Sequence, residues 1–204
     1  ECKKKLTTGS CKDRRCISPE ICPQMPITHA PQIDLLKRLA KVEGVRKVFV
    51  ASGIRHDMVI KDKKHGSSYI RQIAQENTSG QLKLAPEHSA NRVLKKMGKP
   101  GVESLLAFKE IFDRESRSAD KKQFLTYYFI AAHPGCTEDD MQHLKRFASK
   151  ELGIRPEQVQ IFTPTPSTYA SLMYWTGKDP FNNEPIYVAR TINERVNQKQ
   201  ILSK

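Results

Sequence analysis

Four short segments rich in β-branched and aromatic residues are spaced along the chain, and the stretches between them carry apolar residues at helical spacing. Alternating patterns of this kind predict β-strands. The four predicted strands are residues 45–52, 80–86, 124–132 and 158–164. Helices alternating with strands predict an α/β fold with a mostly parallel sheet and right-handed crossovers.

The helices are predicted from apolar residues three and four positions apart. Pro31 near the start of the first helix supports this assignment, because proline suits the first helical turn. The predicted apolar faces are Ile33, Leu36, Leu39 and Ala40; Tyr69, Ile70, Ile73 and Ala74; Leu105, Leu106, Phe108, Ile111 and Phe112; and Met141, Leu144, Phe147, Ala148 and Leu152. The chain thus reads as repeated βα units.

The carboxyl ends of the four predicted strands carry the polar residues of interest. Ligands of parallel α/β proteins bind at this end, where the loops meet and helix N-termini point. The segments are ASGIRHD, LAPEH, AAHPGCTEDD and FTPTPST, with Ser52, Arg55, Glu87, His88, His133, Thr163 and Thr165 at the breaks. We expect these side chains to share one edge of the sheet.

His133 stands where an apolar run turns through Pro-Gly. Placed at the strand end it could meet a ligand; the structural alternative is that it caps a loop or pairs with Glu87. Thr137 has the character of an N-cap, and the three acids after it suit the positive end of a helix, so they need no catalytic role. Cys136 precedes this cap, where a helix N-terminus would lower a thiol pKa.

Four strands cannot close a barrel, which needs about eight, so either the sheet is open or part of a barrel is missing. Residues 31–166 hold the βα repeats, preceded by a Cys-rich insert or loop over residues 1–30. Residues 167–204 predict a short helix, a turn-rich wrap and a polar, frayed tail.

Composition places the chain among globular proteins: 204 residues, 38% hydrophobic and 28% charged. No apolar stretch approaches the roughly 20 residues that span a bilayer, and ECKKK at the start lacks the core of a secretory signal. We therefore expect a cytoplasmic protein without membrane partners. The net charge of +13 favours nucleic acid as a partner, although the basic residues are scattered and no nucleic-acid motif accompanies them.

Four of the five cysteines lie in the first 22 residues: Cys2, Cys11, Cys16 and Cys22. Their spacing does not match the paired C-x-x-C of common zinc sites, although thiolates from an irregular loop can gather round one metal. The alternatives are free thiols or, less favoured in a reducing compartment, a disulfide. The chain has no glycine-rich phosphate loop, G-x-S-x-G or H-E-x-x-H, which removes the usual support for hydrolase and kinase functions.

Several longer segments carry a resemblance to a known family. CKDRRCISPEICPQM, VFVASGIRHD, LKLAPEH, MGKPG, FIAAHPGCTEDDM and QVQIFTPTPSTYASLMYWTGKDPF closely resemble the C-terminal half of the YgiQ-type radical SAM proteins, a widespread bacterial group of unassigned function. The resemblance covers about residues 2 to 183.

The resemblance implies a (βα)6 partial TIM barrel, of which the four predicted strands would be the third to sixth. It implies a 4Fe-4S cluster that binds S-adenosylmethionine (SAM) and cleaves it reductively to a 5'-deoxyadenosyl radical. The cofactors supply this chemistry, and the protein positions them. By resemblance, a strand-end rim faces SAM or substrate: Ser52, Arg55, Glu87, His88, His133, Gly135, Thr163 and Pro164. His133 would lie beside the adenosyl group.

One departure from the family pattern is decisive for activity. The cluster motif C-x-x-x-C-x-x-C does not occur in this chain, and Cys11, Cys16 and Cys22 have the wrong spacing to replace it. We therefore expect the first two strands and the cluster loop to lie upstream of Glu1, and this chain alone to be inactive. It would also expose the edge of its first strand.

Three hypotheses remain open. The first is the C-terminal portion of a radical SAM enzyme, with RNA as one candidate substrate because the HPGCTEDD turn is similar to that of tRNA-modifying methylthiotransferases. The second is a basic α/β module that binds nucleic acid or protein without catalysis. The third adds an auxiliary metal site at Cys2, Cys11, Cys16 and Cys22.

Overall fold

A computed structural model describes residues 2–12, 15–18 and 20–203. It confirms a mixed α/β fold with a three-stranded sheet in the order β1–β2–β3. The strands are β1 Gln81–Glu87, β2 Phe124–Ala131 and β3 Val159–Ile161. β2 and β3 pair in parallel, with Phe129 opposite Val159 and Ala131 opposite Ile161. A small parallel sheet of this kind is consistent with part of an α/β barrel.

The chain divides into two compact units, each made of two stretches of sequence. Unit 1 is Glu1–Ala85 with Glu103–Thr126, and unit 2 is Pro86–Val102 with Tyr127–Lys204. The hydrophobic pattern did not predict this division, because neither unit is continuous in sequence.

Unit 1 is mainly helical. Its helices are α1 Lys3–Thr8, α2 Ala30–Leu39, α3 His56–Lys61, α4 Gly66–Glu76 and α6 Glu103–Ser118. The long helices α4 and α6 pack against each other and bury most of the two predicted apolar stripes. Leu106 and Ile111 are half-buried, and the other members are buried: Tyr69, Ile70, Ile73, Ala74, Leu105, Phe108 and Phe112. Burying these side chains is the main driving force for folding of the unit, at about 25 cal/mol per Å² of apolar surface.

Unit 2 contains α5 Asn91–Met97, α7 Glu138–Phe147, α8 Tyr169–Thr176 and α9 Ile192–Ser203. A short π-helical turn, Ala148–Leu152, continues α7. The stripe predicted for this helix is buried at Met141, Leu144, Ala148 and Leu152. Helix α9 packs against α7 and β3, so the C-terminal segment is an ordered part of this unit.

The structure corrects three sequence predictions. Residues 45–52 form no strand: Val45 and Phe49 remain exposed, and the only β-bridge nearby that the structure describes is a parallel one between Ile54 and Leu84. The fourth strand is three residues long, because the prolines that follow it cannot donate to a ladder. The expected frayed tail is the helix α9, whose Gln198 and Leu202 are buried.

No helix in the part of the chain that the structure describes combines the length and apolar character needed to cross a membrane.

Candidate functional site

Strands β1 and β2 end in the same way, within unit 2. Glu87 and Ala132 have φ angles of 69° and 59°, in the left-handed region that residues with a side chain seldom adopt. Each is followed by a buried histidine, His88 or His133, exposed by 0% and 4%. Such strain costs about 1–3 kcal/mol and persists only where surrounding contacts enforce it, commonly at binding sites. The repeated strand end is therefore the first mark of a site.

The chain leaves β2 through a tight turn, His133–Pro134–Gly135–Cys136, which we call the HPGC turn. The Cys136 N–H donates to the His133 carbonyl over 2.8 Å, and Gly135 has φ 86° at the position where a type II turn needs glycine. The Gly135 N–H in turn donates to the Tyr187 carbonyl over 2.7 Å. The turn is thus fixed both internally and from the C-terminal segment.

Gln198, from α9, holds both ends of the HPGC turn. Its Oε1 accepts from the Ala132 N–H at 3.0 Å, and its Nε2 donates to the Cys136 carbonyl at 2.9 Å. The side chain is fully buried. Sequence analysis missed this residue; the one available signal was Leu202, four residues later, which would share its helical face.

Arg92 fixes the end of the turn and the start of α7. Its Nε donates to Asp140 Oδ1 at 2.8 Å, and its Nη2 reaches the other carboxylate oxygen and Thr137 Oγ1. Its Nη1 donates to the Gly135 carbonyl at 3.1 Å. Thr137 and Asp140 form a capping box, which confirms the predicted N-cap. Arg92 was also missed, since nothing in its own sequence context indicates these distant partners.

His88 is neutral in this environment. Its Nδ1 accepts from the Ala90 N–H at 2.9 Å, which places the ring proton on Nε2, 3.5 Å from the Cys136 sulfur. Burial lowers the pKa of His88 to about 4, and the nearby His133 and His143 lower it further against the opposing effect of Asp140. At neutral pH it is a hydrogen-bonding group rather than a cation.

His133 is held in a similar state. Its Nδ1 donates to the Pro134 carbonyl at 2.9 Å, and its ring meets Phe162 edge-on with centroids 5.1 Å apart. Burial lowers the pKa of His133 to about 4, and Lys96 contributes in the same direction. The contact with Phe162 brings His133 to the segment that follows β3, which contains Thr163 and Pro164.

The Cys136 thiol is not activated, contrary to the sequence expectation. Burial raises its pKa to about 12, and the neighbouring Asp140 carboxylate acts in the same direction. Desolvation therefore outweighs the positive end of the helix. His88 and Cys136 form a neutral buried pair, not a thiolate–imidazolium dyad.

The other rim residues of unit 2 are more exposed. Glu87 pairs with Lys99, with Lys99 Nζ donating to Oε1 at 3.0 Å, so its carboxylate is engaged there rather than with His133. Thr163 is exposed and Pro164 is half-buried. Unit 2 thus holds six of the eight predicted rim residues: Glu87, His88, His133, Gly135, Thr163 and Pro164.

The remaining two, Ser52 and Arg55, belong to unit 1 and line a cavity of about 510 Å³. Arg55 is paired there with Asp57, at 2.9 Å from Nε to Oδ1. His29 lines the same cavity. Sequence analysis grouped Ser52 with Arg55 but did not place His29 with them.

His29 is oriented by a buried carboxylate. Its backbone nitrogen lies 2.7 Å from Asp62 Oδ2, and its ring Nδ1 lies 2.9 Å from the same oxygen. Burial alone would raise the pKa of Asp62, but hydrogen bonds from the His65, His29 and Lys64 backbone N–H groups and from the His29 ring lower it to about 2. The carboxylate is therefore ionised and holds the His29 ring in one orientation.

The cysteines near the start of unit 1 are brought together in space. Cys2, Cys11, Cys16 and Cys22 all line one cavity of about 740 Å³, and each is a free thiol. Over residues 2–12, 15–18 and 20–203, however, no three His, Cys, Asp or Glu side chains are arranged to hold a metal ion. An auxiliary metal site there stays a prediction.

Comparison with known proteins places the chain in a family. Residues 157–203 match a family model described as a domain of unknown function, DUF3362. A UPF0313 protein of Fusobacterium nucleatum is 50% identical over 204 residues, which is 100% of this chain and 36% of that protein. UPF0313 proteins of Clostridium perfringens and Methanocella arvoryzae are 40% and 41% identical over 98% and 95% of the chain.

The chain spans about a third of the length of these relatives, and their names state no activity. The high identity over the whole chain, together with the DUF3362 match, confirms the resemblance drawn from the motifs. The chain belongs to the UPF0313 family of YgiQ-type proteins, to whose C-terminal part it corresponds.

Proposed function

We propose that this chain is the C-terminal portion of a radical SAM iron–sulfur enzyme that acts on a substrate still to be identified. When bound in the intact protein, SAM and a 4Fe-4S cluster would supply reductive cleavage to a 5'-deoxyadenosyl radical. The role of this chain would be to bind and orient SAM or substrate at the strand-end rim. The motif resemblance supports the class of reaction, and family membership is compatible with it.

The observation that carries the proposal is the repeated strand end of unit 2. Two consecutive strands stop at a left-handed residue followed by a buried, neutral histidine. Ligands of parallel α/β proteins bind at this end. Arg92 and Gln198 hold the HPGC turn and its two flanking residues, Ala132 and Thr137, through four hydrogen bonds, which limits reorganisation when a ligand arrives.

The cluster itself does not fit this chain. None of its cysteines has the C-x-x-x-C-x-x-C spacing, and among the described residues no three His, Cys, Asp or Glu side chains are arranged to hold a metal ion. Its ligands must come from outside these 204 residues. What remains for this chain is to orient: the His133 Nδ1–H is committed to Pro134, which leaves Nε2 as the acceptor of the neutral ring.

The decisive test uses the intact protein, purified anaerobically and supplied with SAM and dithionite. We expect 5'-deoxyadenosine, quantified by liquid chromatography. His133→Gln should lower its formation at least tenfold, while the matched variant His143→Gln, an exposed histidine of the same unit, should retain it. Circular dichroism of both variants confirms folding. No 5'-deoxyadenosine from the unaltered protein would refute the proposal, and an unaffected His133→Gln would remove His133 from the site.

A second candidate is the basic α/β module that binds nucleic acid or protein without catalysis. The net charge of +13 favours it. Under this alternative, changes at His133, Glu87 and Arg55 alter stability alone, and the intact protein leaves SAM uncleaved. The same assay therefore separates the two candidates.

The auxiliary metal site at Cys2, Cys11, Cys16 and Cys22 is supported by the cavity that these thiols share. Because they are not arranged for coordination as they stand, binding requires the loop to close around the metal. Elemental analysis after anaerobic purification tests it. Stoichiometric zinc or iron that is lost in a Cys11→Ser/Cys22→Ser variant supports the site, and finding neither metal rejects it.

A further inference from the structure

A basic cleft lies in unit 1 at the amino ends of β1 and β2, where Gly80 and Gln123 line it just before each strand begins. Its volume is about 330 Å³. The strand-end rim and the cysteine cavity do not include these residues, so the cleft has no role in the function proposed above.

The walls of the cleft are fixed by hydrogen bonds. Asn77 holds the segment that carries Lys47 and Phe49. Its side-chain Nδ2 donates to the Val48 carbonyl at 2.8 Å, and its backbone carbonyl accepts from the Val50 N–H at 2.9 Å. Gln123, next to Lys122, donates from its side-chain Nε2 to the Thr78 carbonyl at 3.1 Å. These hydrogen bonds join the backbone segments that carry the lining side chains.

The charge of the cleft is positive. Lys47, Lys121 and Lys122 line it, against a single acid, Glu76. Lys121 is anchored, because its Nζ donates to the Gln75 carbonyl. Lys47 and Lys122 are exposed. Ammonium groups grouped in this way attract a polyanion and release its counterions on binding.

Two phenylalanines are unusually exposed at this end of the unit. Phe49 lines the cleft and is 49% exposed, and Phe124, next to Gln123, is 58% exposed. Phenylalanine is normally buried, so large exposed rings beside a group of lysines indicate a surface that a further segment or molecule covers. Aromatic rings beside a basic groove are the means by which proteins hold unpaired nucleic-acid strands, since bases stack on the rings and phosphates meet the cations.

We propose that this cleft binds single-stranded RNA, with Lys47 and Lys122 contacting phosphates and Phe49 stacking on a base. Unpaired strands fit because a duplex hides its base faces. The choice of RNA over DNA rests on the proposed function, for which RNA is a candidate substrate. The cleft would then anchor the strand through unit 1.

The test measures binding of a fluorescein-labelled oligouridine to the intact protein by fluorescence anisotropy. We expect Lys47→Glu/Lys122→Glu to weaken binding more than about tenfold and to reduce the slope of log K against log salt by roughly 1.4, the value for two phosphate contacts to a single strand. Phe49→Ala should weaken binding about fivefold or more without changing that slope. Lys63→Glu/Lys150→Glu makes the same change of charge at exposed lysines elsewhere, and should weaken binding less than about threefold.

Three outcomes would overturn the inference: equal losses in both double variants, which indicates attraction by net charge alone; tighter binding of the matching oligodeoxynucleotide; or no RNA binding at all. Circular dichroism shows whether each variant is folded. The 5'-deoxyadenosine assay is run on the same samples. RNA binding through the cleft without SAM cleavage counts against the proposed enzyme, whereas SAM cleavage without RNA binding counts against the cleft.

Discussion

The guanidinium of Arg92 and the carboxylate of Asp140 form a two-point ion pair, although they lie 48 residues apart in sequence. Asp140 also accepts from the Thr137 N–H at 2.7 Å. One carboxylate thus serves both as the cap of α7 and as the anchor of an arginine that holds the Gly135 carbonyl. The start of the helix and the shape of the HPGC turn are therefore coupled.

Asp140→Asn should lower the free energy of unfolding by about 2 kcal/mol, because it removes a charge-assisted cap and leaves Arg92 without its partner. The value is below that of a fully buried pair, since the Arg92 side chain is 55% exposed. Urea unfolding measures it. Asp139→Asn, one residue earlier and exposed, should cost only about 0.5 kcal/mol through the helix dipole. Equal effects would contradict the coupling.

Gln198→Ala should cost about 2 kcal/mol or more, because the Ala132 N–H and the Cys136 carbonyl would lose their partner in the interior. Gln200→Ala, two residues later on the exposed side of α9, should change stability by less than about 0.5 kcal/mol. Thermal unfolding of the two variants gives the comparison. A stable Gln198→Ala protein would mean that water replaces the amide.

Acid should destabilise the fold in a window defined by His88 and His133. Their pKa is about 4 when folded and near the ordinary 6.5 when unfolded. Within that interval the unfolded chain binds more protons, so the contribution to stability is complete above about pH 6.5 and is lost as pH falls towards 4. Linkage gives roughly 3 kcal/mol for each histidine.

Urea unfolding between pH 4 and 7 checks this window. His88→Gln and His133→Gln should each flatten the pH dependence of the unfolding free energy. The same slope in all three proteins would show that the two buried histidines titrate normally.

Cys136 should react with iodoacetamide only after unfolding, because burial raises its pKa to about 12 and encloses the sulfur. Cys16, which is exposed, should be alkylated quickly in the native protein. Timed labelling followed by mass spectrometry gives the rate at each cysteine. Equal rates at the two positions would argue against the buried neutral pair with His88.

Gly135→Ala should destabilise the protein through two effects. Its φ of 86° disfavours any side chain, and an added Cβ would lie 2.5 Å from Lys96 Cδ. Gly153→Ala isolates the first effect, since its φ is 68° and no atom of the residues that the structure describes lies within 4 Å of a Cβ there. We expect about 1 kcal/mol for Gly153→Ala and more for Gly135→Ala, measured by chemical unfolding. A smaller loss at Gly135 would mean that Lys96 moves aside freely.

Patterns in the sequence predicted the parts of the fold that depend on interactions between residues close together in the chain. Apolar spacing located α4, α6 and α7 because a buried helical stripe repeats every three or four residues. Thr137 was recognised as a cap because its side chain acts within one turn. The α/β class followed from the alternation of these elements.

The remaining features depend on partners distant in sequence. Gln198 and Arg92 look like ordinary surface residues until the structure brings the HPGC turn to them. The lowered pKa of His133 arises from burial, which no spacing reveals. Helix α9 was misread because its sequence is polar and only two of its residues are buried, Gln198 and Leu202.

The bridge that Gln198 makes to Ala132 and Cys136 can form only late during protein synthesis. A ribosome adds residues from the amino end, so β2 and the HPGC turn emerge well before the glutamine that joins them. Until α9 has been made and has docked, the strained backbone at Ala132 lacks the hydrogen bond that helps to hold it. The strand-end histidine therefore acquires its final setting only near the end of translation of this segment, and a chain interrupted before residue 198 would carry the motif without its geometry.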